Sequence, residues 1–154
     1  MSKNYCISKN TVVDSDVSTV FNVLADIENW NTWTRSVTKI SYLENNTFKV
    51  GDQALVIQPR LSPAVWTITE IIPNKSFIWQ THSYGVNMTA KHILKETDQG
   101  TFIEHQVIYE GQFAWLFYKL TGKLTNQYLT MEIMGLKAKC EEIHRDITVM
   151  AGII

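Results

Sequence analysis

Two histidines, His92 and His105, carry the clearest chemical signal in this 154-residue sequence. Each falls on the apolar side of a strand-like alternation. In the first stretch Val86, Met88, Ala90, His92 and Leu94 share one face, and in the second Thr101, Ile103, His105, Val107 and Tyr109 do. Strand side chains alternate with period two, so each set points the same way. The intervening Asn87, Thr89, Lys91, Lys95, Glu104, Gln106 and Glu110 are mostly polar. A hairpin turn near Thr97 to Gly100 sets Leu94 against Ile103, and therefore His92 against His105 and Met88 against Tyr109. Opposed side chains stand about 4.5–5.5 Å apart at Cβ. Two inward imidazoles could serve as general acid and base near neutral pH, and Tyr109 could donate to a ligand carbonyl. The competing reading makes both histidines satisfied wall residues, bonded to each other, water or backbone. No metal site and no cofactor are expected. An opposed histidine pair lacks an evident third ligand, and neither Glu70 nor Glu104 can be placed beside it from sequence.

Aromatic and soft side chains would complete a binding wall. The sequence has five tryptophans, of which Trp30, Trp33, Trp66 and Trp79 fall between positions 30 and 79. Trp79 and Phe77 are predicted to line a cavity, with Trp30 and Trp33 near its mouth, where flat rings suit ring-shaped or acyl ligands. Ordinary core packing is the alternative. On a predicted C-terminal helix, Leu124, Tyr128, Met131, Gly135 and Ala138 form one inner stripe. Tyr128, Met131 and Met88 would give adaptable walls. Gly135, costly in mid-helix, would either leave room for a ligand or allow close packing. Arg35 and Arg60 are isolated cations near strand ends, either solvated or able to meet a ligand carboxylate. No GxSxG, Gly-rich phosphate loop, HExxH or Cys–His spacing is present, so hydrolase, nucleotide-binding and zincin readings have no support.

The elements that must position these residues follow from periodicity. Residues 5–13 read as a strand, ending at the helix-capping run Asp14-Ser15-Asp16. Val17, Val20, Phe21 and Leu24 mark a short helix, and Ile27 to Trp33 a second. Strand candidates follow at 36–43, 51–58, 64–72, 76–82, 86–96 and 101–110, separated by turn residues, as in an antiparallel meander. From Phe113 to Arg145 the pattern is helical, with Phe113 to Leu120 as a possible separate turn before Gly122. The apolar tail Ile147, Val149, Met150, Ile153 and Ile154 is expected to pack on the body or at a homodimer contact. The predicted class is α+β: a curved seven-stranded antiparallel sheet wrapped around a long C-terminal helix, with two short helices between strands 1 and 2. A bent sheet cannot close fully on one helix, so a cavity between them is expected.

Composition narrows the partners. One domain spanning 1–154 is expected from the length. The net charge is −1 and the 14 Lys and Arg residues are scattered, so no nucleic-acid partner is expected. Cys6 and Cys140 are in no metal spacing and read as free thiols of a reducing cytosol. No stretch approaches the roughly 20 apolar residues of a membrane span, and the first residues lack a signal peptide's apolar core. A cytoplasmic protein is expected.

Local motifs in this order resemble the START-like (SRPBCC) superfamily, in particular its polyketide cyclase/dehydrase and lipid-transport group. The opening Asp14 to Asp26 is similar to that group's first helix. Trp30 and Trp33 resemble its W..W segment, and Gly51 its glycine before the third strand. Trp66-Thr67-Ile68-Thr69-Glu70 with Pro73, then Phe77, Trp79 and Gly85, then Gly100-Thr101, resemble its later strands and turns. The resemblance covers essentially the whole chain and implies a helix-grip fold. It implies binding of a small hydrophobic or aromatic molecule, a lipid included, between sheet and helix. Trp79, Met88, His92, His105, Tyr109, Tyr128, Met131 and Gly135 are the candidate ligand-binding residues. Two alternatives stay open: a polyketide cyclase/dehydrase-type enzyme using the same cavity, and a protein-interaction module of chaperone-activator type. The resemblance supplies no catalytic motif.

Overall fold

A computed structural model describes residues 3–44 and 47–152. The chain runs β1 (Tyr5–Val13), α1 (Val17–Ala25), a 3-10 turn (Ile27–Thr32), β2 (Lys39–Tyr42), β3 (Gln53–Ile57), β4 (Ala64–Ile72), β5 (Ser76–Ser83), β6 (Val86–Thr97), β7 (Gly100–Gly111) and α2 (Ala114–Gly152). The strands form one seven-stranded sheet in the order β1-β7-β6-β5-β4-β3-β2, and every pairing is antiparallel. The long helix lies against β1, β7 and β6. This is the helix-grip, START-like arrangement.

Local chemistry explains the joints. Asp16 caps α1, its carboxylate accepting from the Thr19 amide at 3.0 Å, and Val17, Val20, Phe21 and Leu24 bury one face. Gly100 reverses the chain between β6 and β7 at φ +127°, and a side chain there would strike the Val13 carbonyl oxygen at 2.1 Å. The β6–β7 ladder has the predicted register: His92 opposes His105, Leu94 opposes Ile103 and Met88 opposes Tyr109.

Three expectations are corrected. The strand predicted over 36–43 is confined to Lys39–Tyr42, because Thr34 and Ser36 bond each other at 2.8 Å in the preceding turn. The helix is unbroken through Gly122 and continues to Gly152. Gly122 sits against Tyr118 and Ile7, so the missing side chain serves packing and does not end the helix. Ile147, Val149 and Met150 are exposed on the last turns and do not pack on the body; Ile153 and Ile154 lie outside the described residues. Among the described residues no helix is long and apolar enough to cross a membrane.

Candidate functional site

The inner face of α2 differs from the predicted stripe. Thr125, Tyr128, Leu129, Glu132, Ile133, Leu136 and Cys140 are buried. Met131 is 43% exposed and therefore faces solvent. Gly135 does not leave space beside the sheet; a Cβ there would lie 2.0 Å from the Trp33 carbonyl oxygen, so it allows the helix to touch the 3-10 segment. Including Glu132 turns the buried face by about one residue, roughly 100° of helix.

That rotation brings Glu132 onto the histidine pair. Register sets the two imidazoles edge to face, with ring centroids 4.6 Å apart. Glu132 Oε1 lies 2.7 Å from His105 Nδ1 and 3.4 Å from His92 Nε2. All three side chains are buried. The 2.7 Å approach lies off the ring's N–H direction, because Nδ1 and Oε1 both remain without an aligned hydrogen bond, as does His105 Nε2. His92 is better fixed. Its Nδ1 lies 2.9 Å from the Phe77 carbonyl oxygen, and its ring stacks on Phe77 at 4.7 Å. A carbonyl only accepts, so Nδ1 carries a proton.

The charge state follows from burial and neighbours. Burial pushes His105 below its ordinary pKa, against the pull of the Glu132 carboxylate. Burial works to raise the Glu132 pKa, but hydrogen bonds and positive charge from His105 and His92 in their protonated forms outweigh it and lower it. Among the described residues no lysine or arginine is buried, and none lies within 4 Å of Glu132.

Beside this cluster is a cavity of about 70 Å³, lined by Trp30, Trp66, Trp79, Met88, Ala90 and Leu129 among others, with His92 and Glu132 on its wall. Gln58 and Leu61, from the loop joining β3 to β4, and Tyr128 from α2 also line it. The Tyr128 hydroxyl donates to the Pro59 carbonyl of that loop. Trp30 is buried in the centre, not at a mouth; its Nε1 donates to the Leu24 carbonyl at 2.9 Å, and its ring meets Trp79, Phe77 and His92.

Of the predicted site residues, Trp79, Met88, His92 and Tyr128 reach the cavity wall. His105 lies behind it, against Glu132. Tyr109 is fully buried and does not line the cavity. Its hydroxyl contacts Thr125 at 2.7 Å and Thr121 at 3.1 Å, so helix threonines satisfy it. Burial raises its pKa. The residue that sequence reasoning missed is Glu132. Its signal is the spacing Thr125, Leu129, Glu132, Leu136, a buried stripe that a polar member disguises.

A grip of sheet on helix around an aromatic cavity defines the class as a START-like domain. The sequence model of the family described as "Polyketide cyclase / dehydrase and lipid transport" matches residues 6–141, and the chain belongs to that family. A search of curated proteins by sequence finds no match. Solved structures share the fold. The di-domain ARO/CYC StfQ from the steffimycin biosynthetic pathway aligns with TM-score 0.72 and 11% identity over 92% of this chain and 52% of that one. This chain thus spans about half of the di-domain protein's length. Hypothetical protein jhp0584 from Helicobacter pylori aligns with TM-score 0.75 and 14% identity over 88% of each chain. A point mutant of Thalictrum norcoclaurine synthase, in complex with a transition-state analogue, aligns with TM-score 0.66 and 13% identity over 90% of this chain and 98% of that one. At these identities the likeness speaks for the fold alone.

Proposed function

We propose that the protein binds a small hydrophobic or aromatic molecule between the sheet and α2. The observation that carries this reading is the cavity walled by Trp30, Trp66, Trp79 and Met88, with His92 and Glu132 among the polar side chains that line it. Apolar walls with a few convergent polar groups are the usual composition of a small-molecule site. Family membership supports the same reading.

Size adds a condition. The cavity measures about 70 Å³, whereas a dry void of about 150 Å³ accommodates benzene and drug-sized ligands occupy roughly 300–1,000 Å³. A ligand of that size would have to enlarge the cavity, and displacement of the β3–β4 loop, whose Gln58 and Leu61 line it, would do so. Native mass spectrometry of the protein from its own host, followed by denaturing extraction, tests the reading. Wild type should carry a stoichiometric apolar molecule, and Ala90→Leu, which fills the cavity from its wall, should carry none. An empty wild type that also gives no tryptophan fluorescence response to naphthol-sized aromatic probes would sink it.

A second reading, catalysis of the cyclase/dehydrase type, draws support from His92 and Glu132 lining the same cavity. A bound carbonyl compound would meet a buried carboxylate able to accept a proton. Replacing both histidines by glutamine separates the two readings: retained affinity with lost turnover favours the enzyme. A protein-interaction module requires a filled core, and the cavity weighs against it.

A further inference from the structure

We propose that His92 Nε2, His105 Nδ1 and a Glu132 carboxylate oxygen together hold one divalent transition-metal ion, of the Zn²⁺ or Fe²⁺ type, at the inner end of the cavity. The three residues are buried, and one ligand atom from each lies within 4.8 Å of the others. The proposal goes beyond organic ligand binding and does not depend on it.

The first argument is the pair of lone pairs facing each other. His92 Nδ1 donates to the Phe77 carbonyl at 2.9 Å. With the ring's one proton on Nδ1, the His92 Nε2 lone pair points to a carboxylate oxygen 3.4 Å away. A cation in the gap turns that repulsion into coordination. The Phe77 bond is also the outer-sphere support that metal-ligating histidines ordinarily have, fixing tautomer and ring orientation.

The second argument is unsatisfied polarity. His105 Nδ1, His105 Nε2 and Glu132 Oε1 are buried without an aligned hydrogen bond, and an ion between Nδ1 and Oε1 would satisfy two of the three. Buried polar groups are nearly always satisfied, and an ion is one of the standard reasons for an exception. With the proton of His105 on Nε2, Nδ1 offers a lone pair to the same point as the other two donors.

The chemistry fits, and the two separations from Glu132 lie near tetrahedral values. Donors about 2.0–2.2 Å from a tetrahedral ion sit roughly 3.3–3.5 Å apart. The 3.4 Å separation already matches, and the 2.7 Å one must open by about half an ångström, within reach of a glutamate rotation. Two imidazoles and one carboxylate suit zinc or iron, whereas calcium and magnesium take oxygen shells. The same ion would neutralise a buried carboxylate that has no lysine or arginine within 4 Å among the described residues. Because His92 and Glu132 border the cavity, the open coordination position faces it, toward water or a heteroatom of a bound molecule.

The test is titration of chelator-treated protein with Co²⁺ alone, read by visible d–d absorption, with Zn²⁺ as competitor and no organic ligand present. Wild type should take up one equivalent with the intense bands of a four-coordinate site. His82→Gln/His144→Gln, which removes the other two histidines, should behave like wild type. His92→Gln, His105→Gln and Glu132→Gln should each weaken binding by about 100-fold or more, exceeding the loss typical of an outer-sphere change. No stoichiometric uptake by wild type overturns the proposal. So does uptake that survives Glu132→Gln undiminished, or that vanishes in His82→Gln/His144→Gln. Should a cluster variant fail to fold, wild type and the surface variant decide alone. Failure here leaves the extracted-ligand experiment untouched, and the reverse also holds.

Discussion

The Tyr128 hydroxyl donates to the carbonyl of Pro59, tying the middle of the long helix to the loop that covers the cavity. Both Tyr128 and the neighbouring Leu61 line that cavity, so this bond joins its two sides. Tyr128→Phe keeps the ring and removes the bond. The expected cost in global stability is about 1 kcal/mol, the usual net worth of one hydrogen bond. Exchange should respond more. Stopped-flow tryptophan fluorescence with an aromatic probe should give faster association and faster dissociation in the variant. Unchanged rates would mean that the β3–β4 loop is not the way in.

Gly135 and the Trp33 carbonyl oxygen define a contact with no room for a methyl group, since a Cβ would approach to 2.0 Å. Helix propensity favours Gly135→Ala by about 1 kcal/mol. The clash is with backbone and cannot be relieved by a rotamer. Overpacking of this kind costs about 1–3 kcal/mol and occasionally more, so net destabilisation is expected. Urea unfolding of the two proteins reads the sign. A more stable alanine variant would show that the 3-10 segment yields readily to the helix.

The same glycine shows how far the sequence reaches. Alternation on β6 and β7, with the turn at Gly100, was enough to oppose His92 and His105, because a sheet's register follows from its turn and its apolar face. Helix phase was harder to read. Scoring Glu132 as an outward residue rejects the stripe that contains it and selects one through Met131, which is exposed. Only tertiary contact reveals that α2 buries a carboxylate, because its partners lie in strands remote in sequence. Helical spacing puts Gly135 on an inner stripe, but the surface it meets comes from Trp33, whose position depends on a 3-10 turn with no periodic signature. The tie between Tyr128 and Pro59 likewise joins a loop to a helix that no local pattern relates.

The two cysteines should differ sharply in reactivity. Cys6 is exposed and Cys140 is buried. Burial foremost, with the nearby Asp16 and Glu141 carboxylates, pushes the Cys140 thiol up to about 12, and the thiolate is the reactive form. A disulfide reagent at pH 8 should modify one thiol quickly in the folded protein and the second only on denaturation. Two fast thiols would mean that α2 opens near Cys140 on the timescale of the assay.

Glu141 couples the end of β1 to α2 and gives the fold an acid-sensitive joint. Its carboxylate accepts from Lys137 Nζ at 2.8 Å and from the Asp14 amide at 3.1 Å, while Lys137 also donates to the Val12 carbonyl at 2.7 Å. Burial works to raise the Glu141 pKa, but these bonds and the charges of Lys137 and Arg145 outweigh it and lower it. A carboxyl lowered by folding stabilises the native state above its unfolded pKa, near 4.3, and that contribution is lost as pH falls through the lower folded value. Glu141→Gln should therefore be less stable than wild type at pH 7, by about 1 kcal/mol for a partly exposed charged bond. The gap should narrow as pH falls below about 4.3 and close once wild-type Glu141 is protonated. Thermal melts of both proteins between pH 7 and pH 3 measure this directly. A gap that stays constant to pH 3 would assign the effect to side-chain packing, since the carboxylate charge would then contribute nothing that protonation removes.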